Sequence, residues 1–303
     1  MPSAITHQLV AEETKELLSD GLQHIIERAP DEYYLGCQGP DFLFFYRIGC
    51  KSEYNFGKYL HRNRPYEVFS LFARILSGDK SAKLPHFSED ERTRVYSYVL
   101  GYLTHNCTDA TFHPYVYRYM EEENSPKREH QLMENDWDVY FLRELREQSA
   151  EKFQFGFKPN VIAESNALPK LFAAIAEECD REEVKPRKLH AGVKNFYRYL
   201  KFFHGKCYRR QKFWAGAERI FRAKPFFSAL YPRESVDPSY LEREDFEVLS
   251  EGKGANADAL FERAKQESVK LCELFCECVR NGSPLPKSEF SNGFLTGKPE
   301  YED

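Results

Sequence analysis

The sequence predicts an all-α protein, a multi-helix bundle. Apolar residues recur every three or four positions in nearly every segment, as with Leu22 and Ile26 near the start and Leu271 and Phe275 near the end. Alternating polar and apolar runs, which would indicate strands, are scarce. With 303 residues the chain can bury a large helical core.

Helical periodicity places the elements in chain order. The predicted helical segments are residues 9–26, 66–76, 89–112, 129–148, 163–179, 189–204 and 260–279. Ser88 and Glu91 form an S-x-x-E capping box that opens the third segment. Because a residue before proline disfavours the α conformation, Pro114 predicts that this helix ends near His113. Residues 119–129, which are charged and contain a proline, predict a turn that returns the chain antiparallel.

Composition describes an ordinary globular protein. A net charge of -5 gives no general attraction to nucleic acid or anionic lipid. No apolar run is long enough to span a bilayer, and the first residues lack a basic and an apolar signal region, which predicts a cytoplasmic location. Eight cysteines without a C-x-x-C pair predict reduced thiols. Nothing in the sequence specifies an oligomeric state.

Two stretches place potential metal ligands at helical spacing. His105, Asp109 and His113 lie four residues apart, and His130 and Glu134 repeat that interval. Residues four apart share a helix face, with Cβ atoms about 5–6 Å apart. Neutral imidazole and carboxylate are ligands that zinc accepts. Two such helices facing each other would form a pocket for several metal ions.

A single H-x-x-x-D motif is weak evidence, since most such pairs are solvated or make internal hydrogen bonds. Glu134 alone is also compatible with an ordinary acid on a helix surface. The repetition of the motif favours metal binding over these alternatives. Two readings without turnover stay open: a helical scaffold that binds zinc, and a protein in which these residues bind no metal.

The motifs resemble those of the zinc-dependent phospholipase C family, whose relatives include the single-strand-specific zinc nucleases. The resemblance covers roughly residues 1–145. Besides the two spaced motifs, it includes His7 near the start and a G-P-D element that supplies Asp41. A further histidine between G-P-D and H-x-x-x-D corresponds to His61, which is favoured over His86.

The resemblance implies the helical bundle of that family, here with additional C-terminal helices, and two or three zinc ions. The first ion is assigned to Asp41, His61, His105 and a bridging Asp109. The second is assigned to His113, His130 and Glu134. The third is assigned to His7 with the N-terminus, Met1 or Pro2.

The implied activity is hydrolysis of a phosphoric diester, in which zinc-activated water attacks phosphorus. Asp109 and Asp41 carry the catalytic roles, Asp109 as the bridge between ions and Asp41 as ligand or general base. The outer nitrogens of His105 and His130 are expected to donate to carboxylates or carbonyls. The substrate is a phospholipid headgroup or a soluble phosphodiester. A single-strand nuclease or nucleotide phosphodiesterase at the same site is the less favoured alternative.

Three regions are predicted: a metal-bearing helical region at 1–155, a C-terminal helical region at 156–291 that packs on it as one unit, and a flexible tail at 292–303. Two aromatic stretches remain ambiguous. Residues 42–46 suit core packing or a pocket wall, and core packing is favoured. Residues 188–233 mix basic and aromatic side chains, which suits phosphate and base binding, but an amphipathic helix pair is favoured.

Overall fold

The computed structural model describes residues 4–46, 55–79, 84–126, 128–223 and 226–300. Within these ranges the chain forms fourteen α-helices and no strand, which confirms the all-α prediction. The helices are α1 (Ala4–Lys15), α2 (Asp20–Arg28), α3 (Pro30–Gly36), α4 (Phe56–Leu60), α5 (Pro65–Ser77), α6 (Glu89–Glu122), α7 (Arg128–Arg146), α8 (Val161–Glu164), α9 (Ala167–Glu178), α10 (Pro186–His204), α11 (Cys207–Ile220), α12 (Phe246–Leu249), α13 (Ala257–Asn281) and α14 (Lys287–Phe290). Short 3₁₀ helices include Asp41–Phe45 and Ser228–Leu230.

Two of the predicted segments are divided into shorter helices. Residues 9–26 span parts of α1 and α2, and the break is fixed by Ser19, whose N–H and hydroxyl both donate to the Glu273 carboxylate. Residues 163–179 are interrupted before α9, where the Ser165 hydroxyl accepts from the N–H of Ala167. The predicted capping box is confirmed, since the N–H of Ser88 donates to Glu91 and the N–H of Glu91 donates to Ser88.

Helix α6 continues through Pro114, so the predicted end near His113 is wrong. Proline lacks the N–H that would normally donate to the carbonyl four residues earlier, that of Ala110. The Lys253 ammonium donates to this carbonyl instead, with Nζ 2.7 Å from the oxygen. Burial lowers the pKa of Lys253. Because the freed carbonyl is satisfied, His113 keeps its helical register with Asp109.

Two glycines allow α3 to lie directly on α6. A Cβ added at Gly36 would lie 2.2 Å from the Tyr98 carbonyl oxygen, and one added at Gly101 would lie 2.1 Å from that of Tyr33. Any larger residue would therefore push the helices apart. This close approach carries the chain that follows α3 across the face of α6.

The buried side chains form two hydrophobic clusters. In the first, the rings of Phe42 and Phe172 lie 5.4 Å apart between centroids. In the second, Phe141 and Phe261 lie 4.8 Å apart. Each cluster thus joins residues from both sides of position 155. A division of the chain near this position stays a prediction.

The segment that begins at Asn292 is not a solvated tail over residues 292–300. Phe294 is 1% exposed, and its ring contacts those of His61, Tyr102 and His105 at centroid distances of 5.4 to 5.8 Å. Asn106 donates through Nδ2 to the Asn292 carbonyl at 3.1 Å. A solvated tail was predicted because the polar residues of this segment outnumber its one buried aromatic residue, Phe294. Residues 301–303 lie outside the described part of the chain.

Across the described residues, the structure contains no helix that combines the length and apolar character needed to cross a membrane.

The role of Lys253 can be tested by a double-mutant cycle with Pro114. We expect Lys253→Met to lower the free energy of unfolding by about 1–3 kcal/mol, because the Ala110 carbonyl loses its donor in a buried place. In a Pro114→Ala background the restored N–H supplies a donor, so the same change should cost less. Urea unfolding followed by circular dichroism at fixed zinc concentration measures both values. Equal losses in the two backgrounds would contradict this role.

Candidate metal centre

The structure brings all eight predicted ligand residues together. They are His7, Asp41, His61, His105, Asp109, His113, His130 and Glu134. They form three groups, within each of which one potential ligand atom per residue lies within 4.8 Å of the others. His130 is half-buried and the other seven are buried. The competing candidate, His86, is exposed and belongs to no group found in the described residues.

Asp109 lies at the centre of these groups. One of its oxygens, Oδ1, is 3.2 Å from Nε2 of His7 and 3.6 Å from Nδ1 of His113. The other oxygen, Oδ2, is 3.3 Å from Nε2 of His105. The two oxygens therefore face different histidines, as a carboxylate must to contact two ions.

A first group contains Asp41, His61 and His105. His61 directs Nε2 to Asp41 Oδ1 at 3.0 Å, and this nitrogen is 3.5 Å from Nε2 of His105. The other nitrogen of His61, Nδ1, is 2.8 Å from the Gly57 carbonyl oxygen. Since that carbonyl only accepts, Nδ1 carries a proton and Nε2 is the nitrogen available to a metal. Burial opposes protonation of His61, but Asp41 outweighs it and raises the pKa of this imidazole, so a metal would have to displace a proton from Nε2.

Gly39 of the G-P-D element makes room for His105. Its φ angle is +54°, in the left-handed region that favours glycine. A Cβ at this position would lie 2.0 Å from the His105 ring. The glycine thus lets the loop after α3 pass over the imidazole and place Asp41 beside it.

A second group, on α6 and α7, contains His113, His130 and Glu134. Glu134 Oε1 lies 2.7 Å from Nε2 of His130 and 3.7 Å from Nε2 of His113. The His113 ring is oriented by Nδ1, which is 2.9 Å from the Phe294 carbonyl oxygen. The rings of His113 and His130 lie 5.3 Å apart, as the predicted antiparallel return of the chain requires.

A third group joins His7 of α1 to His105 and Asp109. Met1 and Pro2, the predicted terminal ligands, lie outside the described residues. Helix α1 is anchored beside the site by Asp138, which accepts from the N–H of Thr6 at 2.7 Å and from its hydroxyl at 2.9 Å. Asp138 follows Glu134 by one turn of α7, so the same helix face holds a ligand and fixes the start of α1.

The electrostatics of the site favour charged carboxylates, and they affect its imidazoles in different directions. Burial opposes ionisation of Asp109, but His113 and His105 outweigh it and lower its pKa. Burial likewise opposes ionisation of Glu134, and His130 helps to lower its pKa. Burial holds the pKa of His105 well below its usual value, so this ring is neutral, as a metal ligand must be.

The His105 ring is not held in the way that was predicted. Its outer nitrogen, Nδ1, is buried and has no hydrogen-bond partner among the described residues, so the expected donation to a carboxylate or carbonyl is wrong. The ring is held by packing instead, with the His7 ring 4.3 Å away between centroids and Gly39 directly against it. The well-supported imidazoles are those of His61 and His113.

Zinc fits the donor set. Oδ2 of Asp41 and Oδ2 of Asp109 are buried and accept no hydrogen bond from the described residues. Buried polar atoms without partners are rare because each is costly, and a cation would satisfy both. The combination of carboxylate oxygen and imidazole nitrogen is one that zinc prefers.

The groups open on a cavity of about 590 Å³. Six of the predicted ligands line it, while His7 and His105 lie behind them. Sequence reasoning missed three polar lining residues, Lys58, Arg62 and Tyr117. Tyr117 continues the four-residue spacing of α6, but the expected helix end at His113 hid this signal. Phe44 also lines the cavity, whereas Phe42, Leu43 and Phe45 pack in the core.

Comparison with known proteins places these residues in a family. A family model described as zinc dependent phospholipase C matches residues 6–199, which is more than half of the chain. The chain belongs to the zinc-dependent phospholipase C family. No curated protein and no solved structure shows a significant match to it.

The family match contains all eight ligand residues and ends within α10. Membership in this family, together with the three ligand groups, supports a zinc-dependent hydrolase with a phospholipid-type substrate. Helix α11, Lys253 and Phe294 lie beyond the matched residues.

Gly39→Ala should lower the zinc content of the purified protein, because the added methyl group would displace the His105 ring. Elemental mass spectrometry after dialysis measures zinc per chain. Gly21→Ala is a matched control, since a Cβ at Gly21 would meet nothing within 4 Å. Full zinc content and unchanged zinc affinity in Gly39→Ala would contradict the packing role of this glycine.

Zinc binding should release protons at neutral pH. Burial opposes protonation of His113, but Asp109 and Glu134 outweigh it and raise its pKa to about 9 in the metal-free protein. Zinc must displace this proton, so apparent zinc affinity should increase as pH rises towards about 9. Calorimetric titration in two buffers of different protonation enthalpy counts the protons. Identical heats in both buffers would contradict the expectation.

Proposed function

We propose that this chain is a zinc-dependent phosphodiester hydrolase of the phospholipase C type. The observation that supports it best is that Asp109 lies within 4 Å of a histidine from each of the three ligand groups, which adjoin one cavity that also contains two cationic side chains. A purely structural zinc site is closed by protein ligands, whereas a catalytic site keeps open space beside its ligands. The cavity provides such space.

We assign one ion to each ligand group. Asp41, His61, His105 and Asp109 would hold one ion, and His113, His130 and Glu134 a second. His7 with Asp109 would hold a third, for which the N-terminus remains the proposed further ligand. When bound, clustered zinc polarises phosphoryl oxygens and lowers the pKa of water towards about 7. Asp109 would contact more than one ion, because its two oxygens face different histidines.

The remaining cavity residues suit a phosphodiester. Asp41 lines the cavity, so its carboxylate can orient a water molecule for attack and accept its proton. The ammonium of Lys58 and the guanidinium of Arg62 can bind non-bridging phosphate oxygens. Burial raises the pKa of Tyr117 to about 12, with Glu134 adding to the effect, so this phenol stays protonated and can donate a hydrogen bond.

The apolar wall of the cavity suits a substrate that is partly lipid. Phe44 and Leu295 line it beside the charged groups, and the Phe44 ring lies 5.1 Å from that of His61. A headgroup phosphate would lie against the cations while the glyceride carbons contact these side chains.

We also propose that regions 1–155 and 156–291 act as one unit, since both contribute to each hydrophobic cluster.

Asp109→Ala should reduce hydrolysis of a soluble chromogenic phosphorylcholine diester by about 100-fold or more and lower zinc content, because one carboxylate serves more than one ion. Far-ultraviolet circular dichroism should stay nearly unchanged. Glu121→Ala removes an exposed acid from the same helix and is the control. Retained activity in Asp109→Ala would exclude the assignment.

The wild-type protein distinguishes the alternative functions in the same assay. Two or three zinc ions per chain without turnover of any phosphodiester would favour the zinc-binding scaffold. Faster cleavage of single-stranded DNA or RNA than of the phosphorylcholine diester would favour the nuclease. No zinc retained after loading would leave the histidines and acids with a structural role alone.

A further inference from the structure

An exposed apolar patch lies at the end of α11 and just beyond it. We call Phe213, Ile220, Phe221, Phe226 and Phe227 the tip patch. These side chains are between 46% and 80% exposed, and they make up half of the exposed large hydrophobic residues in the described chain. Soluble proteins seldom expose large apolar side chains in such concentration unless the surface binds something.

Helix α11 turns its apolar stripe away from the protein. Its buried residues are Cys207 and Glu218, which lie on one side. Phe213 and Ile220 are seven residues apart and share the opposite side with Gly216, where an added Cβ would meet nothing. The stripe therefore faces open space rather than either hydrophobic cluster.

A buried carboxylate fixes the second half of the tip patch. Glu218 accepts from the N–H groups of Phe226 at 2.7 Å and Phe227 at 2.6 Å, and also from Ser228. The Trp214 ring lies 4.7 Å from that of Phe227. Because the backbone is held in this way, both phenylalanine rings are displayed beside α11.

The charges around the tip patch are basic. Residues 207–223 contain five basic residues and a single acid, Glu218, in a chain whose net charge is -5. The basic residues are Arg209, Arg210, Lys212, Arg219 and Arg222. Glu218 is bound to backbone N–H groups and Lys212 pairs with Glu234, so the net positive charge of the segment comes from its four arginines.

We propose that the tip patch docks the protein onto the surface of an anionic phospholipid bilayer. Exposed Phe and Ile side chains enter the boundary between headgroups and acyl chains, while Arg and Lys bind lipid phosphates. Ile220, which is 79% exposed, argues for lipid over nucleic acid, since an aliphatic side chain offers no ring for base stacking.

The tip patch lies close to the metal centre along α7. The guanidinium of Arg128 covers the Phe226 ring, with Cζ 3.3 Å from the centroid. Arg128 begins α7, and His130, two residues later, lines the cavity. Docking would therefore bring the cavity near the bilayer surface. This link to catalysis rests on the proposed function, whereas the docking itself does not.

Vesicle flotation of the full-length protein tests the docking. We expect binding to phosphatidylcholine vesicles that contain about 30% phosphatidylserine, and weaker binding to phosphatidylcholine alone. The double variant Ile220→Ser/Phe221→Ser should bind the anionic vesicles about tenfold more weakly. Val248→Ser is the matched control, because Val248 is 77% exposed but lies on α12, and its binding should equal that of the wild type.

Several outcomes would overturn the docking proposal. These are the absence of wild-type binding to anionic vesicles, binding by the double variant equal to that of the wild type, and binding to single-stranded oligonucleotides in place of vesicles.

A parallel assay separates docking from catalysis. The double variant should lose more activity on vesicle phospholipid than on the soluble diester. Vesicle binding without hydrolysis of either substrate would remove the proposed function and leave the docking site intact.

Discussion

The arrangement of this protein depends on the burial of one carboxylate, Asp109, among imidazoles. A buried charge must be compensated at short range, and here the partners are histidines from α1, from α6 and from the residue that follows α4. Each helix must therefore reach the same point. The glycine contact between α3 and α6, and the anchoring of α1 by Asp138, make that convergence possible.

Three of the eight candidate ligands and one further cavity residue lie on one face of a single long helix. His105, Asp109, His113 and Tyr117 follow one another at intervals of one turn on α6, and they reach from a buried layer to the cavity. A break after His113 would rotate Tyr117 away from this row. The Lys253 ammonium, which is supplied by a segment far along the chain, keeps the row continuous. Helix α6 contributes side chains to the second hydrophobic cluster as well as to the cavity, so both depend on its continuity.

Local patterns in the sequence predicted much of the fold and five of the candidate ligands, whereas His7, Asp41 and His61 were predicted from the family resemblance. Helical periodicity, the Ser88 capping box and the His/acid spacing depend on residues within a few turns of one another, so they are visible without a structure. The continuation of α6 through Pro114 depends on Lys253, which no local pattern indicates. The same holds for Phe294, whose burial reflects a cleft formed by other elements. Lys58 and Arg62 were missed because cations on a short helix, and in the turn after it, carry no periodic signal.

The contact between Phe294 and the histidines has a consequence for the biogenesis of the protein. The carbonyl that orients His113 lies 181 residues further along the chain. During synthesis the ligand helices emerge first, and they lack one wall and one imidazole support until residue 294 has left the ribosome. Premature termination before that point would yield a chain with every histidine and acid of the centre but an open, poorly oriented site. Assembly of the finished centre is in this sense a late event, coupled to completion of the C-terminal region.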